Sequence, residues 1–166
     1  MKQIRLLNDT CWDILSQISD PEIPVLSITD LGMIRGVEIN NQDEIIIKLT
    51  PTYSGCPATD LLKAEILSAF EQQGLSPAQV VIDLSQAWTT DWMTDTGKRK
   101  LKAYGIAPPQ GDAHQCGTHV ALQDGIECPH CHSRHTRLVS EFGSTACKAL
   151  YKCQSCLEPF DYFKCI

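Results

Sequence analysis

Two closely spaced cysteine pairs constrain the fold of this 166-residue sequence more than any other feature. Each pair is a Cys-x2-Cys turn and 21 residues separate the turns, which are Cys128 with Cys131 and Cys153 with Cys156. Such a turn brings two thiolates and nearby backbone amides to one ion, and two turns joined by antiparallel strands complete a tetrahedral site. The spacing therefore predicts a small antiparallel zinc ribbon over residues 126–166.

The residues alone leave other chemistry open for these four cysteines. The same thiolates would also suit iron or an iron–sulfur centre, and a Cys-x2-Cys turn can act in disulfide exchange. Redox motifs seldom come as a matched pair, however, and so small a ribbon gains most of its folding energy from the metal. Structural zinc is the favoured interpretation, with strands expected at 137–141 and 149–152.

The composition changes sharply along the chain. The first 107 residues contain only two of the nine cysteines and no histidine, and a proline- and glycine-rich run at 108–111 marks the break. We therefore expect a folded domain at 1–107, a linker at 108–125 and the ribbon at 126–166. The cysteines after the break that have no assigned role, Cys116, Cys147 and Cys165, would be small buried side chains or ligands of a second metal site. The histidines there would be solvent-exposed, hydrogen-bonded to the zinc site or ligands of that second site, and they are His114, His119, His130, His132 and His135.

The charge balance excludes several classes of partner. The net charge is −6, and residues 108–166 carry five basic against six acidic residues, so the basic footprint of a nucleic-acid-binding ribbon is missing. No apolar run approaches the roughly 18 residues that a membrane span requires. The first 14 residues also lack the apolar core of a signal peptide. We expect a cytoplasmic protein that binds neither nucleic acid nor membrane.

The first 107 residues alternate between helical and strand patterns. The predicted elements, in chain order, are a helix at 9–18, strands at 33–39 and 44–50, a helix at 57–73, a strand at 80–84 and a weaker helix at 91–104. The order αββαβα predicts an α+β fold in which a small mixed three-stranded sheet packs with helices.

Cys56 lies between a predicted strand and a predicted helix, in the run Thr-Tyr-Ser-Gly-Cys56-Pro57. Unpaired amides and the dipole at a helix start stabilise anions, so we expect a lowered pKa for this thiol. Gly55 would permit an unusual backbone angle that presents the sulfur outward. A cysteine–histidine dyad would need a histidine from the other domain. Cys56 is therefore a buried structural residue, a metal ligand or carrier, or a nucleophile.

Three carboxylates of the loop at 20–32 are the nearest candidate partners of Cys56, namely Asp20, Glu22 and Asp30. Carboxylates raise the pKa of a neighbouring thiol by repulsion, yet they can share a cation with it. Turn formation and helix capping are the alternative roles for Asp20 and Asp30.

These motifs resemble known families. The runs Asp20-Pro-Glu-Ile23, Asp30-Leu-Gly32 and Thr50 to Pro57 resemble the SufT-like iron–sulfur assembly domain. Residues 87–92, 140–151 and 158–166, together with the cysteine turns, resemble the PaaD (also PaaJ) family of phenylacetate degradation, and the resemblance covers essentially the whole chain.

The resemblance implies a role beside phenylacetyl-CoA 1,2-epoxidase, a multicomponent monooxygenase of aromatic degradation. That ring-epoxidising enzyme has a diiron oxygenase subunit and a reductase with flavin and a 2Fe-2S cluster, and these subunits would be the partners. The implied function is assistance in assembling their iron or iron–sulfur centres. Cys56 would be the transient iron or cluster carrier, Asp20, Glu22 and Asp30 its supporting acidic loop, and the four ribbon cysteines the zinc ligands.

Other functions remain open at this stage. We expect no catalysis by the chain itself, because the Glu-x-x-His helices of a diiron oxygenase are absent from the sequence. A non-catalytic structural subunit of the epoxidase is the alternative to a maturation protein, and a thiol enzyme would need a base beside Cys56. One cysteine with carboxylates binds iron weakly, so a homodimer that pairs two Cys56 sites is a further hypothesis.

Overall fold

The computed structural model describes residues 2–53, 55–110 and 125–165, with side chains from Leu6 onward. The chain divides into two compact units, 1–88 and 89–166. The elements of the first are α1 (Lys2–Ser16), β1 (Ile34–Ile39), β2 (Ile45–Leu49), α2 (Ala58–Gln72) and β3 (Ala78–Ile82). Those of the second are a 3-10 turn (Thr90–Trp92), α3 (Asp95–Tyr104), β4 (Thr136–Ser140), β5 (Lys148–Cys153) and β6 (Pro159–Phe163).

The first unit contains the predicted mixed sheet. Its strand order is β1-β2-β3, with β1 antiparallel and β3 parallel to the central strand β2. The apolar alternation of β2 buries Ile45, Ile47 and Leu49 on one face of the sheet, and α2 contributes its own buried stripe at helical spacing. The predicted α+β fold class is therefore confirmed.

The glycine after α2 ends the helix by its backbone conformation. Gly74 has a φ of +70°, which glycine adopts at little steric cost. The amides of Gly74 and Leu75 then donate to the carbonyls of Glu71 and Phe70, both at 2.9 Å, so the last carbonyls of the helix are satisfied. The end of α2 is therefore defined by its own backbone hydrogen bonds.

The second unit contains an antiparallel sheet in the order β4-β5-β6. Its core is aromatic, because Tyr151 stacks on Phe160 with ring centroids 6.0 Å apart and meets Tyr162 edge-on at 5.6 Å. Cys128 and Cys153 are buried in the same core. The sequence predicted strands β4 and β5. It did not predict β6, because that strand begins at Pro159 and proline is unfavourable in most strand positions.

Two helices differ from their predicted limits. The helix predicted at 9–18 is α1 and begins at Lys2, and the helix predicted at 91–104 is divided into the 3-10 turn and α3. The division falls at Thr94, whose hydroxyl caps α3 by accepting from the amide of Gly97 at 2.9 Å. A capping residue inside an otherwise helical pattern therefore explains the break.

Helix α3 and the residues that follow it contact other parts of the second unit. Lys102 pairs with Glu127 at 2.8 Å, and the backbone of Ala107 bonds to β6 through Asp161 and Phe163 at 2.8 and 2.9 Å. The domain limits predicted from the sequence stay predictions, and most of the predicted linker at 108–125 lies outside the described residues. Among the described helices, none is both long and apolar enough to cross a membrane.

Candidate functional site

The four ribbon cysteines form a cluster whose dimensions fit one metal ion. Their sulfur atoms all lie within 4.8 Å of one another. Cys128 and Cys156 are 3.8 Å apart, and Cys131 and Cys153 are 3.5 Å apart. Four thiolates about 2.3 Å from a tetrahedral zinc ion would be separated by about 3.8 Å. The donor set and its spacing therefore suit a single tetrahedral ion.

The two cysteine turns share one local structure. In each turn the amide of the first cysteine donates to the carbonyl five residues later, at 2.9 Å from Cys128 to Ser133 and at 3.0 Å from Cys153 to Glu158. The side chains of Ser133 and Ser155 also meet across the two turns at 2.7 Å. The cluster is thus formed by two equivalent Cys-x2-Cys turns, called knuckles below, in which the backbone folds around the sulfur atoms.

Backbone amides also point at the sulfur of the first cysteine in each knuckle. The amides of Cys156 and Ser155 donate to Cys153 Sγ at 3.5 and 3.4 Å. They lower the pKa of Cys153 to about 6, with the Cys156 amide as the largest cause. Corresponding amides reach Cys128, but burial outweighs them and raises its pKa. In the folded ribbon, backbone amides therefore orient the sulfur atoms toward a common centre.

The residue after each knuckle has a left-handed backbone conformation. His132 has a φ of +63° and Leu157 a φ of +67°, and side chains with a Cβ pay a steric cost in this region. Leu157 is 64% exposed, so burial does not offset that cost. The conformation is fixed by the fold around the four cysteines.

We expect Leu157→Val to destabilise the metal-loaded protein by about 1–2 kcal/mol, because a β-branched side chain is a genuine outlier at positive φ. Leu157→Gly should equal or exceed the wild-type stability. Thermal unfolding of the zinc-loaded chain measures both effects. Leu84→Val is the control, since Leu84 is exposed to a similar degree without a positive φ. Equal losses for the two valine variants would contradict the expectation.

Cys56 lies two residues before α2, where Pro57 is the N-cap. The side chain is half-buried, and its own amide donates to the carbonyl of Tyr53 at 3.2 Å. The sulfur accepts a hydrogen bond from the amide of Ala58 and another from the Tyr53 side chain. No pattern in the sequence indicated the Tyr53 contact, which depends on how the turn before the helix closes.

The predicted fall in the pKa of Cys56 is wrong. Burial raises the pKa, and the carboxylates of Glu22 and Asp20 raise it further, while the amide of Ala58 lowers it by less. The helix start therefore lowers the pKa as expected, but burial and the two carboxylates together raise it by more. Gly55 also differs from expectation, because its φ lies outside the left-handed region and a Cβ there would meet no atom within 4 Å.

Two of the acidic loop residues cap turns. Asp20 Oδ1 accepts from the amides of Glu22 and Ile23 at 2.9 and 2.8 Å. Asp30 Oδ2 accepts from the amide of Ser27 at 3.1 Å, and Ser27 Oγ accepts from the amide of Asp30 at 3.0 Å. The second pair is reciprocal, like a capping box. Both aspartates are buried, so their local role is to shape the loop that presents Glu22.

The structure brings the predicted residues together only in part. Among the described residues, the four ribbon cysteines bring three or more ligand atoms close enough to bind one ion. Cys56 and the acidic loop do not form such a group. The described histidines belong to no such set either. Cys147 is buried beside the hydroxyl of Thr145 at 3.0 Å. Cys116, His114 and His119 lie outside the described residues.

The raised pKa predicts slow alkylation of Cys56 near neutral pH. Because iodoacetamide attacks the thiolate, the rate should stay below that of a model thiol at pH 8 and rise through a midpoint higher than that of a free cysteine. Glu22→Gln should move the midpoint to lower pH by removing a negative neighbour. The rate is read by mass spectrometry of the Cys56 peptide from zinc-loaded protein.

The control for that profile is Glu65→Gln, an equal change of charge at an exposed position of α2. It should leave the Cys56 midpoint unchanged. A wild-type midpoint below the usual 8.5 of a free cysteine would contradict the placement of Cys56 in a partly buried, acidic environment.

Each half of the chain matches a different family model. A family model described as iron-sulfur cluster assembly protein matches residues 8–74, and one described as the PaaD zinc beta ribbon domain matches residues 112–164. The first match contains Cys56 and its acidic loop, and the second contains all four cysteines of the cluster.

One relative and one solved structure extend these matches. A protein from Porphyromonas gingivalis (strain ATCC BAA-308 / W83), named Fe-S protein maturation auxiliary factor, is 27% identical over 53% of this chain and 84% of its own. A crystal structure of a domain of unknown function, DUF59, from Bacillus anthracis has a TM-score of 0.55 at 19% identity. It covers 58% of this chain and 92% of that chain, and it shows the same fold.

A third comparison covers nearly the whole length. A protein of Escherichia coli (strain K12), whose provisional name makes it a subunit of 1,2-phenylacetyl-CoA epoxidase, is 58% identical over 155 residues. The aligned region is 93% of this chain and 91% of that relative. Together with the ribbon match, this similarity shows that the chain belongs to the PaaD family.

Proposed function

We propose that this chain is an accessory protein of phenylacetyl-CoA 1,2-epoxidase in phenylacetate catabolism. It assists the assembly of iron or iron–sulfur centres in the oxygenase or reductase subunits, which are its partners. The name of the 58% identical relative supports the pathway. The iron–sulfur assembly match and the name of the maturation factor support the role.

The observation that carries the proposal is the environment of Cys56. Its thiol is half-buried, next to Glu22 and Asp20, and the first unit contains no histidine to act as a base. These carboxylates oppose a thiolate but attract a cation. A ferrous ion delivered as cargo would displace the thiol proton to solvent, bond to the sulfur and offset part of the negative charge of Glu22 and Asp20. A nucleophilic cysteine would need the opposite electrostatic setting.

We propose further that Cys128, Cys131, Cys153 and Cys156 bind one structural zinc ion. Their sulfur separations suit a mononuclear tetrahedral ion, whereas a four-iron cluster holds each thiolate on a different iron. Elemental analysis and an optical spectrum of anaerobically purified protein test this assignment. We expect one zinc per chain without visible absorbance, and iron in place of zinc at the knuckles would overturn it.

The accessory role is tested in a strain that lacks this chain. Phenylacetyl-CoA consumption by the epoxidase should fall when the chain is absent and return when the full-length chain is supplied. Equal amounts of epoxidase subunits in both strains, checked by immunoblotting, exclude an effect on expression. Full activity in the absence of the chain would overturn the accessory role.

A non-catalytic structural subunit is the second candidate function. It is favoured because, among the described residues, no two further ligand atoms lie close enough to Cys56 to complete a three-ligand metal site. This alternative predicts that Cys56→Ser has no effect and that the chain purifies in fixed ratio with the epoxidase. A carrier with one cysteine would gain ligands by pairing with a second copy. Iron-dependent dimerisation in sedimentation experiments therefore separates the two candidates.

A further inference from the structure

The ribbon sheet has one buried face and one face that is open at one end. Along β5, the side chains of Ala149, Tyr151 and Cys153 are buried, while Leu150 and Lys152 are partly exposed on the opposite side. The other end of that side is buried at Lys148 and its partner Phe163. Residues directly opposite each other in an antiparallel sheet share a face. The open face therefore carries the neighbours of Leu150 and Lys152 on the two flanking strands.

Two cations lie directly opposite each other on this open face. Arg137 of β4 pairs in register with Lys152 of β5, and Pro159 of β6 follows in the same row. Like charges in directly opposed positions destabilise a sheet. Among the ion pairs of the described residues, none includes Arg137 or Lys152.

An apolar groove adjoins the cation pair on the same face. It has a volume of about 400 Å³, and its lining combines the apolar side chains of Phe142, Leu150, Pro159 and Phe160 with Gly143, Ser144 and Asp161. Phe142 is 66% exposed. The groove is open and shallow, which suits an extended protein segment better than an enclosed small molecule.

The carboxylate in the lining of this groove already has partners. Asp161 Oδ2 accepts from Ser144 Oγ at 2.8 Å and lies 3.9 Å from the ammonium of the buried Lys148. Its negative charge is therefore shared with a cation other than Arg137 and Lys152. The face offers an apolar groove next to two cations without acidic partners among the described residues, in a chain whose net charge is −6.

We propose that this face, defined by Arg137, Lys152 and the groove of Phe142, Leu150 and Pro159, binds an acidic segment of a protein partner. A carboxylate of that segment lies between the guanidinium and the ammonium, where it relieves their repulsion and accepts charge-assisted hydrogen bonds. An adjacent apolar side chain of the segment occupies the groove. The inference rests on the proposed function for the existence of a partner, and it adds where that partner binds.

The charges argue against a second copy of the chain as the occupant. A two-fold dimer places the same patch of both chains in contact. Contact through this face would bring two Arg137–Lys152 pairs together and increase the repulsion instead of relieving it. An acidic segment from a different protein would instead reduce the repulsion between Arg137 and Lys152.

The first test is a nuclear magnetic resonance titration of the zinc-loaded full chain. The probe is a soluble peptide in which glutamates flank a central Leu-Phe pair. We expect shifts concentrated at Arg137, Lys152 and Leu150, lost at high salt. Shifts confined to the basic helix α3, or no shifts, would overturn the proposal.

Charge reversal supplies the matched variants. Arg137→Glu with Lys152→Glu should weaken binding of the peptide about tenfold or more. Lys98→Glu with Arg99→Glu on α3 makes the same change of charge and should have less than about a twofold effect. Zinc content and circular dichroism establish that both variants are folded. Equal weakening in the two double variants, or a change in self-association with the first, would contradict the assignment.

A second arm uses purified epoxidase oxygenase and reductase components in place of the peptide. Loss of their binding only in the Arg137→Glu, Lys152→Glu variant supports both the surface and the proposed function. If the components bind this variant as tightly as wild type, the surface assignment fails and the accessory role stands. If the peptide binds the face but no component does, the surface stands and the epoxidase role fails.

Discussion

Cys153→Ser is expected to abolish metal binding and unfold the second compact unit. Cys153 is fully buried in the aromatic core beside Tyr151 and Phe160, and its sulfur lies within 3.5 Å of that of Cys131. In so small a unit, metal binding and folding are nearly one event, with a coupling on the order of 10 kcal/mol. Loss of one ligand therefore removes most of the energy that orders the ribbon.

The effect is measured by zinc content and by nuclear magnetic resonance dispersion of residues 125–165. Cys147→Ser is the matched control, because Cys147 is buried in the same unit but belongs to no ligand set among the described residues. We expect the control to keep its zinc and its dispersion. A folded, zinc-free Cys153→Ser protein would contradict the proposed role of the metal. Removal of zinc from the wild type by a strong chelator should reproduce the unfolded spectrum.

Cys56→Ser is expected to eliminate the accessory function while leaving the fold intact. The side chain is half-buried, and a hydroxyl can still accept from the amide of Ala58, so the free energy of unfolding should change by less than about 1 kcal/mol. A serine hydroxyl does not ionise near neutral pH and does not replace a thiolate as an iron ligand. Epoxidase activity should therefore fall to that of a strain lacking the chain.

Two measurements separate this outcome from simple instability. Thermal unfolding and soluble yield should match the wild type, and the Cys147→Ser chain should restore epoxidase activity. Wild-type activity with Cys56→Ser would remove the carrier role and favour the structural subunit. Loss of both activity and folding would show that Cys56 is primarily a packing residue.

Local sequence patterns predicted most of the fold. Helix α2 and strand β2 were predictable because each buries a single apolar face, at periods of about 3.6 and 2, and their ends fall within a residue or two of expectation. The four-cysteine cluster was predictable because its spacing is itself the geometric requirement. Strand β6 was not predicted, although it pairs with the neighbouring strand β5, because a proline at its first residue is unfavourable in most strand positions.

The sequence predicted the direction of two contributions to the pKa of Cys56, a fall from the helix start and a rise from the acidic loop. It did not predict how far the thiol is buried, and burial is the largest cause of the raised pKa. The packing of α3 within the second unit is similarly non-local, since its partners lie beyond residue 125. The sequence therefore left open how deeply Cys56 is buried and what α3 contacts.

The central claim is that Cys56 delivers or helps insert iron into the epoxidase. Iron and acid-labile sulfide per epoxidase complex test it most directly, in complexes purified anaerobically from cells with the wild-type chain, Cys56→Ser or no chain. The account predicts full occupancy with the wild type and equally low occupancy in the other two. Equal iron and sulfide in all three complexes would contradict it.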